Sequence, residues 1–236
     1  MGKESKGAKI AFDGFPKKGV EFLRQLSEHN DREWFSQHKD EYNEYLLAPA
    51  RDFVTALGER LRKISPGIIA DPRTDRSIFR INRDTRFAKD KSPYKTHLGI
   101  FFWEGNLPKM ECAGFYFHLE PPTLMLASGL YCFPKHLLEV YRNAVVSPKH
   151  GPALTKAIRE VTKPNGYEIG EIHYKKTPRG YDANHANAEY LLYSGLYVMV
   201  NEPVPNELYS GKILDYCFDR FRLMAPLHKW LHTITQ

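Results

Sequence analysis

Residues 98–133 read LGIFFWEGNLPKMECAGFYFHLEPPTLMLASGLYCF. The run divides into three short apolar segments, LGIFFWEG, ECAGFYFHLEP and TLMLASGLYCF, separated by GNLPKM and by Pro121-Pro122. Each has the length, β-branched or aromatic content and turn-residue borders of a strand. In the second segment Cys112, Gly114, Tyr116 and His118 fall on one face, and Ala113, Phe115, Phe117 and Leu119 on the other. Connections this short join antiparallel neighbours.

Outward from this run the apolar period changes to that of helices. Upstream, PKKGVEFLRQLSEHN carries Val20, Phe22, Leu23 and Leu26 as a stripe after Pro16. Asn30-Asp31 caps a second helix with Trp34, Phe35, Tyr42, Tyr45 and Leu46 facing inward. Pro49 opens a third, bearing Phe53, Val54, Leu57, Leu61 and Ile64, which closes at Pro66-Gly67. IIADPRTD then reads as loop, and SIFRINRD as a strand in preference to a helix, because Ile78, Phe79 and Ile81 are stiff β-formers and no cap precedes them. Downstream, helices are predicted at 135–146 and 151–162, strands near 167–174 and 195–200, a long helix at 206–224 and a short one at 226–235. Helices, a run of strands, then helices again make an α+β layout, a mainly antiparallel sheet packed by helices with a helical N-terminal subregion. No linker divides it, so residues 12–236 are expected to form one domain after a disordered tail at 1–11.

Composition sets outer bounds. The chain has 236 residues, 34 Lys and Arg against 28 Asp and Glu, and a formal net charge of +6. This mild basicity is compatible with phosphate-bearing partners but falls short of a nucleic-acid-binding footprint. Cys112, Cys132 and Cys217 form no CxxC pair, which excludes the usual zinc and redox spacings and a disulfide framework. Without a signal-peptide core or a membrane span, the expected location is the cytoplasm.

The chemistry-bearing stretch is Arg73–Lys95, RTDRSIFRINRDTRFAKDKSPYK, with eight basic residues and three acidic ones. Forked guanidinium donors match phosphate or carboxylate oxygens, so Arg80, Arg83 and Arg86 with Lys95 are the candidate anion-binding groups. Asp84 is placed to orient an arginine. With Lys91, Tyr94 and His97 it completes the candidate catalytic set, those three supplying proton-transfer or charge-stabilising groups. The competing reading is an internal network in which Asp84 and Asp90 pair the cations and pin a loop. KKTPRGY, with Lys175, Lys176 and Arg179, is expected either to extend the same basic cleft or to be a polar loop.

The segment RINRDTRFAKDKSPYK resembles the signature of a widespread bacterial family, domain of unknown function 2461. The matching residues are Arg80, Arg83, Asp84, Arg86, Phe87, Asp90, Lys91, Pro93, Tyr94 and Lys95. Trp34 and Phe35 of NDREWF, Tyr42, Pro49, TPRGY at 177–181, Pro226-Leu227 and Trp230-Leu231 extend the resemblance over nearly the whole chain. It implies membership without an activity.

Other signatures are missing. No Walker loop, GxGxxG or G-x-S-x-G occurs, so nothing indicates a nucleotide cofactor or covalent catalysis. His97, His118, His173 and His185, with Asp84 or Glu111, show no HxH, HExxH or His/carboxylate pair at ligand spacing, and no metal is expected. The leading expectation is an anion site for a nucleotide or other phosphorylated ligand. The alternatives are a non-enzymatic nucleic-acid or protein-interaction module, or a purely structural Arg/Asp network. Reaction, cofactor and oligomeric state stay open.

Overall fold

The structure, a computed structural model, describes residues 12–236; the expectation for residues 1–11 lies outside them. Six strands, all antiparallel, stand in the order β1-β2-β3-β4-β6-β5. They are β1 (Ile68–Ile69), β2 (Leu98–Glu104), β3 (Gly114–Glu120), β4 (Thr123–Leu130), β5 (Tyr167–Ile169) and β6 (Leu196–Pro203). The segment expected to decide the fold does so: β2, β3 and β4 are consecutive neighbours, with Gly99 opposite His118 and His118 opposite Met125.

Alternation along these strands sorts the sheet into two unlike faces. Ile100, Phe102, Phe115, Phe117, Leu124, Leu126, Val198 and Val200 point into the main core, each at most 3% exposed. That face is covered by α4 (Ala48–Leu61) and α7 (Ile213–Thr235), supported by α1 (Lys17–Glu28), α5 (Lys135–Val146) and α6 (Gly151–Val161). One apolar cluster runs through all of them, from Phe12 to Ile234. The opposite face bears Gly99, Phe101, Gly114, Tyr116, His118, Met125, Ala127 and Met199, and among the described residues no α-helix lines the hollow on it. Among the described residues no helix is long and apolar enough to cross a membrane.

Several boundaries differ from those expected. Asp31 caps α2 (Arg32–Gln37) by accepting from Trp34 N at 2.9 Å, but the helix breaks at His38, whose ring stacks on Trp34. After α3 (Lys39–Glu41) the chain winds through a π-helical segment, Tyr42–Leu47, straight into α4. Ile68 and Ile69, expected in a loop, pair with Glu104 and Trp103. At the C-terminus one 23-residue helix replaces the expected two and passes through Pro226. Proline forfeits a helical hydrogen bond, yet Phe221, Met224, Leu227 and Leu231 on either side bury in the same core, so packing keeps the helix whole.

SIFRINRD forms neither the strand expected nor the rival helix. It is held by isolated bridges, Ile78 to Ile100 and Asn82 to Tyr94, and by Phe79 N donating to Gly99 O at 3.0 Å. Ser77, Ile78 and Ile81 are buried while Arg80 and Asn82 are exposed, so the segment lacks the period-two burial of a one-sided strand. The segment crosses the edge of the sheet and delivers Phe79 to the face that bears Tyr116.

Candidate functional site

The arginine motif divides between two places. Residues 83–92 form an exposed loop that largely satisfies itself. Arg83 pairs with Asp90, and Arg86 donates through Nε and Nη2 to Asp84 at 3.0 and 2.7 Å. Lys91 Nζ donates to Thr85 O at 2.9 Å, while Asp90 accepts from Ser92 N and Oγ. Those bonds favour the ionised carboxylates: Arg86 lowers the pKa of Asp84, and Ser92 followed by Arg83 lowers that of Asp90. In this half of the motif Asp84 and Asp90 are paired with Arg86 and Arg83.

Tyr94 is buried in the core, its ring stacked on Phe35 at 4.1 Å between centroids. Its backbone exchanges two hydrogen bonds with the Asn30 side chain, tying the motif to the N-terminal helices. The candidate catalytic residues Asp84, Lys91 and Tyr94 therefore do not meet His97, and none of the three lines a cavity with it. The Lys175–Arg179 cluster does not extend the motif either. Its flanks are tied elsewhere: Tyr174 N donates to Leu192 O, and Tyr181 Oη to Asn143 Oδ1 on α5.

The other half of the motif lies on the sheet face that bears Tyr116. There a cavity of about 350 Å³ is floored by Gly114, Tyr116, Met125, Ala127 and Met199 and walled by Phe79, Phe101, Met110, Tyr131 and Tyr197. Its size is that of a small-molecule site. Two glycines make the floor deep: a Cβ on Gly99 would stand 2.7 Å from the Tyr116 hydroxyl, and one on Gly114 would strike the Phe101 ring at 2.5 Å.

Cations gather at one rim. Lys95 lines the cavity and donates to Arg80 O at 2.9 Å; Lys109 donates to Arg76 O at 2.6 Å. Both ammonium groups stand over the Phe79 ring, at 5.5 and 4.3 Å from its centroid. Burial lowers the pKa of each; Arg80 adds to the effect at Lys95, Arg76 and Lys95 add to it at Lys109, and the Asp75 carboxylate opposes it at both. No carboxylate pairs with either lysine or with the Arg80 guanidinium among the described residues.

Beside the cations stands a polar trio. His97 lines the cavity, and its ring lies 4.1 Å from that of His118. His118 Nε2 is 3.3 Å from Glu120 Oε2, and one donor atom from each of the three residues lies within 4.8 Å of the others. Burial and His118, with a smaller push from Lys95, lower the pKa of His97 to about 4, so its imidazole is neutral at pH 7. The expectation that no His/carboxylate pair stands at ligand spacing fails here. Residues two apart on a strand share a face, and His118-x-Glu120 on β3 is such a pair. That spacing, with Lys109 and Tyr116, was the signal within reach of sequence reading.

A second histidine–carboxylate cluster lies across the sheet. His228 on α7 is fully buried, with Nε2 3.0 Å from Glu104 Oε2. Ser65 Oγ donates to the same oxygen at 2.5 Å, and Gly67 N donates to Oε1 at 2.7 Å. The cluster clamps the end of β2 to α7 and to the turn after α4.

No curated protein and no solved structure matches the chain. A family described as "Conserved hypothetical protein (DUF2461)" matches residues 18–230, which takes in the arginine motif, all six strands and both histidine clusters. The chain belongs to that family.

Proposed function

We propose that the chain binds a phosphorylated small molecule, a nucleotide or a compound of similar build, in the sheet-face cavity. The apolar body lies on the floor between Phe79, Met125 and Tyr197, and the phosphate meets Lys95, Lys109 and Arg80. The observation that carries this reading is the pair of partly buried ammonium groups, Lys95 and Lys109, that flank Phe79 at the rim of an apolar hollow with no carboxylate in ion-pair contact among the described residues. Like charges brought together and desolvated destabilise one another, and a phosphate would relieve that repulsion. Each ammonium has three donors, so donors remain after those spent on backbone carbonyls. Three unpaired cysteines fit a reducing, cytoplasmic setting.

Calorimetric titration with adenosine 5′-monophosphate, 1-naphthyl phosphate, adenosine and inorganic phosphate tests the proposal. At least one of the two phosphate esters is expected to bind with one-site saturation, more tightly than adenosine or inorganic phosphate. Lys95→Ala is expected to weaken that binding about tenfold, the loss of one charge-assisted hydrogen bond. Equal binding by wild type and Lys95→Ala, or no binding of either ester, overturns it.

One observation favours a second reading. Phe87 is 95% exposed at the tip of the arginine loop, with the Arg86 guanidinium beside its ring. An exposed aromatic among cations is a stacking platform for single-stranded nucleic acid. Its mark would be oligonucleotide binding that falls steeply between two salt concentrations and is lost in Phe87→Ser.

A further inference from the structure

We infer that His97, His118 and Glu120 form a site for one divalent transition-metal ion of the zinc type at the edge of the sheet-face cavity. Two imidazoles and one carboxylate are the donor set such ions take, and three protein ligands leave a position open for water or another ligand. Metal–ligand bonds of about 2.0–2.2 Å put donors about 3 to 3.5 Å apart. The pair His118 Nε2 and Glu120 Oε2 already meets that spacing, and the full set lies within 4.8 Å.

The second shell is what separates this trio from a chance cluster. The Tyr116 hydroxyl stands 2.9 Å from His118 Nδ1, which fixes the ring and leaves Nε2 toward Glu120. Thr96 Oγ donates to Glu120 Oε1 at 2.6 Å, which leaves Oε2 toward His118. Each of these two ligands thus has one atom anchored outward and the other turned inward, the arrangement that orients metal ligands in proteins. Lys95, whose charge reaches His97, spends one ammonium donor on Arg80 O. The strands themselves set the geometry: His118 and Glu120 share a face of β3, and His97 immediately precedes β2, the strand paired with it.

The test is metal binding by the full chain, first stripped with a chelator and dialysed. Cobalt(II) serves as the visible-absorption probe and zinc(II) as competitor. One equivalent of cobalt is expected to bind with d–d bands of a nitrogen/oxygen site, and zinc to displace it. His118→Ala and Glu120→Ala are each expected to weaken binding at least about 100-fold, and Tyr116→Phe about tenfold through the second shell. Circular dichroism checks the fold of each variant. Should His118→Ala not fold, Glu120→Gln at its half-exposed position carries the test. No saturable uptake, or uptake with unchanged affinity in the Glu120 variants, overturns the inference, the second result assigning the metal to other histidines such as His228 and His232.

Discussion

Two of the places where the chain sets a histidine against a glutamate, His228–Glu104 and His118–Glu120, differ in burial rather than in chemistry. At His228–Glu104–Ser65 both side chains of the pair are nearly sealed, 0% and 12% exposed, and Ser65 and Gly67 supply further donors to the carboxylate. At His97–His118–Glu120 the glutamate is 46% exposed and a cavity opens beside it. In the first cluster both carboxylate oxygens, Ser65 Oγ and His228 Nε2 are committed to one another and to Gly67 N, and only the sealed His228 Nδ1 lacks a partner among the described residues, so the interaction is structural. The second keeps donor atoms turned toward one another and toward open space, so it has capacity left for a ligand.

That contrast breaks if truncating either glutamate has the same effect. Glu104→Ala should have the largest consequence, a loss of about 2–4 kcal/mol in urea denaturation, because it strands the buried polar groups of Ser65 and His228. Glu120→Ala should cost less than about 1 kcal/mol, as expected of a partly exposed polar position.

Acid sharpens the same contrast. Burial lowers the pKa of both His97 and His228, His97 to about 4, against an ordinary value of 6.5. The unfolded chain therefore takes up protons first, and the stability these groups contribute is present above pH 6.5 and drains as pH falls below it. Hydrogen bonds, that from His228 foremost, hold Glu104 at about 2 instead of 4.5, so its contribution persists to about pH 4.5 and is lost toward pH 2. Denaturation midpoints measured from pH 7 to pH 3 should fall in wild type and fall less in Glu104→Gln, relative to its own value at pH 7. NMR titration should find His97 neutral until about pH 4.

Smaller effects probe the open side. Gly99→Val crowds the Tyr116 hydroxyl and the Phe79 ring, and should reduce phosphate-ester affinity severalfold while moving the melting midpoint by a few degrees. Arg83→Glu is expected to do least. Its pair with Asp90 sits in a solvent-facing loop, so faster hydrogen exchange over residues 83–92 should accompany an unchanged melting midpoint.

The arginine motif shows where sequence reading stops. Charge identified the stretch, and the family signature within it is specific, but charge carries no direction. Arg83, Arg86, Asp84 and Asp90 close on one another because they stand two to seven residues apart on a turning loop. Tyr94 turns into the core because Asn30, far away in sequence, holds its backbone. Lys109 and Phe79 meet only because the 77–83 segment crosses the sheet edge. Likewise Pro226 predicts a helix break from local backbone chemistry alone, and the core on both sides of it overrides that prediction.

From sequence by itself came the α+β class, the strands β2 to β4, the division of β3 into two faces, the helices α1, α4, α5 and α6, and membership of the family. All of these rest on periodicity and local chemistry, which neighbouring residues carry between them. Tertiary structure decided which face of the sheet bears the cavity, which half of the arginine motif meets it, and that His97 joins His118 and Glu120. Those outcomes depend on side chains brought together by strand pairing and helix packing, and such long-range contacts leave no period in a single chain to be read.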